Sequence, residues 1–192
     1  MRKPSILSLT AMAAIGLAAL AFTAQPTPAP AASPVANPQV ARGEYLVTIM
    51  ACHDCHTPWK VGSRGPEPDM TRKLSGHPQD MVVTAPTLEK GPWVWAGAGT
   101  NTAFAGPWGV SFTANLTPDP ETGLGTWTEA TFIEALRTGR HEGRGRPILP
   151  PMPYPMYRQA TDEDLRAVFA YLRSLPPIRN RVPQPIDPPE GQ

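Results

Sequence analysis

The stretch MACHDCHTPW, Met50 to Trp59, holds the only two cysteines of the 192-residue chain, three positions apart, with His56 directly behind the second. A Cys-x-x-Cys pair serves several chemistries. A thioredoxin-type redox couple belongs beside a βαβ pattern, and no such pattern surrounds Cys52. A zinc site needs two further ligands at suitable spacing, and only His53, His56, His77 and His141 are available. A plain disulfide accounts for the thiols alone. None of these readings gives His56 a task. Covalent haem attachment does: thiols three residues apart on one helical turn can form thioethers to the two vinyl groups, with the adjacent imidazole beneath the iron. Chance occurrence of C-x-x-C-H in a chain this long is on the order of one in a thousand. Cys52 and Cys55 are therefore assigned as anchors of one haem c and His56 as an axial ligand, with His53 and Asp54 as solvated spacers.

The segments around the motif predict helices. ARGEYLVTIMACHDCH sets Tyr45, Ile49 and Cys52 on one face at helical spacing, with Leu46 and Met50 beside them. TWTEATFIEALRTG offers Thr126 or Thr128 as N-cap, the stripe Phe132, Ile133 and Leu136, and Gly139 as a stop. A third helix begins at Thr161, whose spacing to Asp164 imitates a capping box. Its apolar face is Leu165, Val168, Phe169 and Leu172, and Pro176 and Pro177 end it. Residues 57–125 repeat Gly and Pro around Trp93, Trp95 and Trp108 without a period. They are expected to form an ordered wrap over the haem edge with one short hairpin.

The beginning of the chain predicts export. Arg2 and Lys3 precede an apolar run from Ile6 to Leu20 and the small-x-small triplet Ala19-Leu20-Ala21, the pattern of a signal peptide over residues 1–21. The run falls short of the roughly 20 residues that span a bilayer, so a membrane anchor is the competing reading only if the segment stays uncleaved. Residues 22–39 form a Pro/Ala-rich linker. One domain is expected over 40–185 and a tail over 186–192. Of 17 basic residues, Arg2 and Lys3 lie in the leader, so 15 stand against 16 acidic residues. This balance gives no support for a nucleic-acid partner.

A haem with one histidine needs its other face accounted for. RPILPPMPYPMY, Arg146 to Tyr157, places Met152 between prolines just before the last helix. A thioether is a soft ligand that raises the potential of haem iron, and proline flanks hold it without hydrogen bonds. Met152 is the first choice, with Met156, His77 and His141 as alternatives. Arg137, Arg140, Arg144 and Arg146 cluster around Glu142, either to meet haem propionates or an acidic partner or as a solvated loop. Trp127 and Tyr154 could donate to a propionate or simply pack, and Asn115 and Thr117 form a turn before Pro118.

The segments CHDCHTP, NLTPDPETGLGTWTEATFIEALRTGRH and MPYPMYRQATDEDLRAVFAYLRSLPPI together resemble class I c-type cytochromes, most closely the haem modules in cytochrome subunits of membrane-bound alcohol and aldehyde dehydrogenases. The resemblance covers about residues 41–57 and 113–186. It implies an all-α cytochrome c fold of about three core helices around one covalently bound haem, with residues 58–112 as a long Gly/Pro-rich insertion. It implies His56 and Met152 as axial ligands and single-electron transfer in the bacterial periplasm. Partners would be redox proteins: a dehydrogenase, another cytochrome or a terminal oxidase. Those subunits carry several C-x-x-C-H motifs, and this chain has one. The expected class is an electron-transfer protein rather than an enzyme, and being the electron-accepting subunit of a dehydrogenase is one form of it. The alternative is a haem enzyme or a gas or redox sensor with an open or displaceable distal position. No Ser/His/Asp or paired-carboxylate constellation stands out.

Overall fold

The computed structural model describes residues 37–86 and 91–188 of the chain. The expected leader over 1–21 and the linker up to residue 36 lie outside them.

Helix α1, Pro38–Ile49, opens on Asn37, whose side chain accepts a hydrogen bond from the Gln39 amide at 3.0 Å. A proline in its first turn has no amide to leave orphaned. The helix buries Gly43, Leu46 and Val47. Tyr45 and Ile49, expected inside, are instead 54% and 58% exposed. The cause is the long helix packed against it, α5, Asp162–Ser174. A Cβ on Gly43 would sit 1.9 Å from the Ala167 carbonyl oxygen, so α1 turns its smallest residue toward its neighbour. A count of apolar side chains gives glycine no weight and therefore points to the wrong stripe.

Helix α5 starts as expected. Thr161 Oγ1 accepts from the Asp164 amide at 3.1 Å, and Asp162, Glu163 and Asp164 complement the positive end of the helix dipole. Its buried face carries Leu165, Val168, Phe169 and Leu172. Burial of each such side chain stabilises the fold by roughly 2 kcal/mol. Helix α3, Glu129–Thr138, is capped by Thr128, which accepts from the Thr131 amide, and ends at Gly139 with φ +68°. Its Phe132 ring lies 5.3 Å from that of Phe169. Two short helices complete the set: α2, Cys52–His56, which carries the C-x-x-C-H motif, and α4, Tyr154–Tyr157.

The expectation of an all-α fold is overturned. Among the described residues, five α-helices stand beside two antiparallel sheets of five strands in all. Strands β1, Trp59–Gly62, and β2, Gly65–Pro68, pair as a hairpin. Strands β3, Ala96–Gly97, β4, Ala103–Gly106, and β5, Gly109–Phe112, form a second sheet in the order β3-β4-β5. The free edge of β5 is tied to the end of the chain, where Val110 and Ile186 exchange backbone hydrogen bonds of 2.8 and 3.0 Å. These strands left no periodic trace for a physical reason. They are two to four residues long, β2 contains two prolines, and Ala103, Phe104, Ala105, Val110 and Ser111 are all buried, so inward and outward residues do not alternate.

Candidate functional site

Helix α2 is a single turn, entered through Ala51 in the left-handed region at φ 56°. It carries Cys52, Cys55 and His56 into one wall of a cavity of about 470 Å³. That volume lies within the range of small-molecule and cofactor sites. Leu124, Phe132, Leu136, Val168 and Leu172 give the cavity apolar walls, and Met152 lines it from the segment before α4. The sequence-predicted residues Cys52, Cys55, His56 and Met152 thus meet at one cavity, although the motif and Met152 lie about a hundred residues apart.

The local chemistry of the first wall suits a covalently held haem. Both cysteines are unbridged, and burial pushes the Cys52 thiol up to about 12, so it stays neutral. His56 is buried, and its Nδ1 lies 2.8 Å from the Ala114 carbonyl oxygen. A carbonyl only accepts, so Nδ1 carries the proton and Nε2 keeps its lone pair. Nε2 has no hydrogen-bond partner among the described residues. Burial holds the ring below the usual histidine range, that is, neutral, and the Ala114 contact opposes this only in part. A neutral imidazole oriented through its second nitrogen is the form in which histidine binds a metal. The ring's backbone is held as well, since the Gly76 amide donates to the His56 carbonyl at 2.8 Å. The described residues contain no group of three or more His, Cys, Asp or Glu able to hold a metal ion.

The alternatives to Met152 are placed differently. Met156 is 69% exposed and does not line the cavity. His77 is fully buried elsewhere, with Nε2 donating to the Met81 carbonyl at 3.0 Å and Nδ1 2.9 Å from Thr102 Oγ1. Both of its nitrogens are occupied. His141 does line the cavity, edge-on to Trp127 at 5.2 Å.

Of the arginine cluster, Arg146 alone lines the cavity, and burial lowers its pKa. Arg137 pairs with Asp162 and donates to the Arg158 carbonyl, and Arg140 donates to the Gly145 carbonyl at 3.0 Å. Tyr154 packs on Gly139, where a Cβ would lie 2.2 Å from its ring. Asn115 is more than a turn former. Its Oδ1 accepts from the amide and hydroxyl of Thr117, while its Nδ2 donates to the Ile178 carbonyl at 2.8 Å. This closes the loop that presents Ala114 to His56.

Several contributors have no signature in the sequence. The Ala114 acceptor is a backbone atom. Tyr157, whose phenol burial pushes up to about 12, donates to the Met50 carbonyl beside the motif. Residues 181–185, which follow α5, also line the cavity. No helix among the described residues is long and apolar enough to cross a membrane.

The family model described as cytochrome c matches residues 40–176. One of the subunits of the nicotinate dehydrogenase of Pseudomonas putida is 43% identical over 77 residues, which are 40% of this chain and 6% of that protein. The cytochrome c subunit of the quinone alcohol dehydrogenase of Gluconobacter oxydans is 30% identical over 174 residues, 89% of this chain and 28% of its own. The fructose dehydrogenase cytochrome subunit of Gluconobacter japonicus is 31% identical over 168 residues, 86% of this chain and 27% of its own. The chain therefore spans less than a third of the length of each of these relatives.

Proposed function

The chain belongs to the cytochrome c family, and on that basis we propose that it is a periplasmic one-electron carrier with a single haem c and a dehydrogenase as its electron donor. The observation that carries this reading is the meeting of the C-x-x-C-H turn and Met152 on one apolar cavity. Haem supplies a one-electron change at its iron. The chain supplies the rest. Cys52 and Cys55 would tether the group as thioethers. His56 would hold it through Nε2, with the ring's orientation and basicity set by the Ala114 carbonyl. Met152 would offer a soft sulfur. The apolar walls exclude water, so a charge change inside them is met by little rearrangement. The dehydrogenase partner is drawn from the named roles of the relatives, which are cytochrome subunits of alcohol and fructose dehydrogenases. Export is supported by the leader pattern, and an N-terminus between Phe22 and Ala32 on the mature protein would mark it.

The spectrum of the oxidised protein tests the ligation. The weak near-infrared absorption of a methionine sulfur on ferric haem is expected, lost in Met152→Ala together with a fall in potential, and retained in Met156→Ala. Five-coordinate iron in the wild type, or rapid carbon monoxide binding to its reduced form, would instead identify a haem enzyme or sensor with an open distal position.

A further inference from the structure

The segment that carries Met152 has almost nothing to hold it. Pro147, Pro150, Pro151 and Pro153 have no amide hydrogen to donate. The Ile148 amide donates to the Gly139 carbonyl at 2.8 Å, and the Pro153 carbonyl accepts from the Met156 amide at 2.9 Å. Between those two points, from Leu149 to Met152, the described residues give the segment one hydrogen bond. Ser111 Oγ donates to the Pro150 carbonyl at 2.6 Å.

Ser111 is built to make that contact. It is buried on β5, which pairs with β4 along one edge and with Ile186 along the other. Its hydroxyl has one hydrogen and two acceptors in reach, the Pro150 oxygen at 2.6 Å and the Phe104 oxygen at 3.3 Å. The Phe104 oxygen also accepts from Trp108 Nε1 at 3.3 Å, so the short bond to Pro150 takes the hydrogen. A stiff proline segment anchored two residues from Met152 transmits that anchor to the sulfur, because the intervening residues have few torsions with which to absorb a shift.

We propose that Ser111, on the inserted three-stranded sheet, is a positioning residue that latches the Met152 loop at Pro150 and so keeps exogenous ligands off the distal face. The proposal rests on Met152 as axial ligand. It also gives the insertion a task, that of a rigid abutment for the distal loop.

The test is a titration of the oxidised holo-protein with imidazole, which must displace the methionine sulfur, followed by loss of the near-infrared band. Ser111→Ala is expected to bind imidazole several-fold more tightly than wild type, up to about tenfold, the worth of one net hydrogen bond. Ser111→Thr and Ser111→Val have the same shape as each other and differ in the hydroxyl. Threonine should stay near wild type and valine should follow alanine, which keeps the comparison usable even if alanine leaves a packing defect. The latch is overturned if a wild type with the band is matched within about twofold by both Ala and Val, or if Thr and Val bind alike. A wild type without the band overturns the Met152 reading itself, and the latch with it.

Discussion

Asn180 shows how much of the insertion hangs on single side chains. It is fully buried. Its Nδ2 donates to the carbonyls of Ser75 and His77 at 2.7 and 2.8 Å, and its Oδ1 accepts from Arg72 Nη2 and the Gln79 amide. His77, whose backbone Asn180 holds, is the buried residue most open to a pH test. Its Nε2–H donates to Met81, so in the neutral ring Nδ1 accepts from Thr102. Burial, aided by the nearby Arg72 cation, keeps its pKa below the ordinary value of about 6.5. The unfolded chain therefore takes up a proton near 6.5 while the folded chain resists it to lower pH. The stability associated with the neutral ring is present above about pH 6.5 and is lost as pH falls through that value toward the folded pKa. His77→Gln cannot titrate. The gap between the denaturation midpoints of wild type and variant should narrow as pH is lowered from about 7.5 to 5, and a gap that stays constant would exclude a neutral buried ring. Nothing in the sequence around His77 marks it as buried. Its partners Thr102 and Asn180 lie 25 and 103 residues away.

At the scale of elements, local signals were legible wherever one turn of chain decides the outcome. Thr128 and Thr161 cap α3 and α5, and Gly139 ends α3, because a cap is a contact between residues two or three apart. The orientation of α1 was not legible, since its partner lies more than a hundred residues further on. Gly43 measures that difference. As a helix position it should gain about 1 kcal/mol from alanine. As a packing position it has the Ala167 carbonyl 1.9 Å from where the methyl would go, and neither helix backbone can yield as a side-chain tip would. Gly43→Ala is expected to destabilise the holo-protein by about 3 kcal/mol or more, read as a lower midpoint in chemical denaturation. An unchanged or raised midpoint would show that α1 and α5 are not packed this closely. Of the two sheets only one short hairpin was expected, and β1–β2 forms one; the three-stranded sheet was missed for the converse reason. Strands of two to four residues gain their stability from pairing, and β4 and β5 also from burial, rather than from a pattern along the chain.

At the scale of the whole molecule, a cavity of about 470 Å³ with largely apolar walls lies among the core residues of α3 and α5. Apolar walls left without a partner lose the packing contacts that stabilise a core. The haem is thus expected to be part of the core as well as the redox centre. A Cys52→Ser/Cys55→Ser chain should lose haem on extraction with acid and organic solvent and show no cooperative unfolding in near-ultraviolet circular dichroism, whereas the wild type keeps its haem and unfolds cooperatively. Complete extraction of haem from matured wild type would end the thioether assignment. The order of residues along the chain was enough to reveal the family, the C-x-x-C-H turn, the helix caps and the proline stop after α5, all matters of neighbours within a few residues. Long-range packing was needed to decide which face of α1 is buried, that residues 57–125 contain two sheets, and that Ser111 meets Pro150 across 39 residues of chain. Those outcomes depend on which distant surfaces fit together, and a contact of that kind stabilises two segments jointly while leaving no periodicity in either.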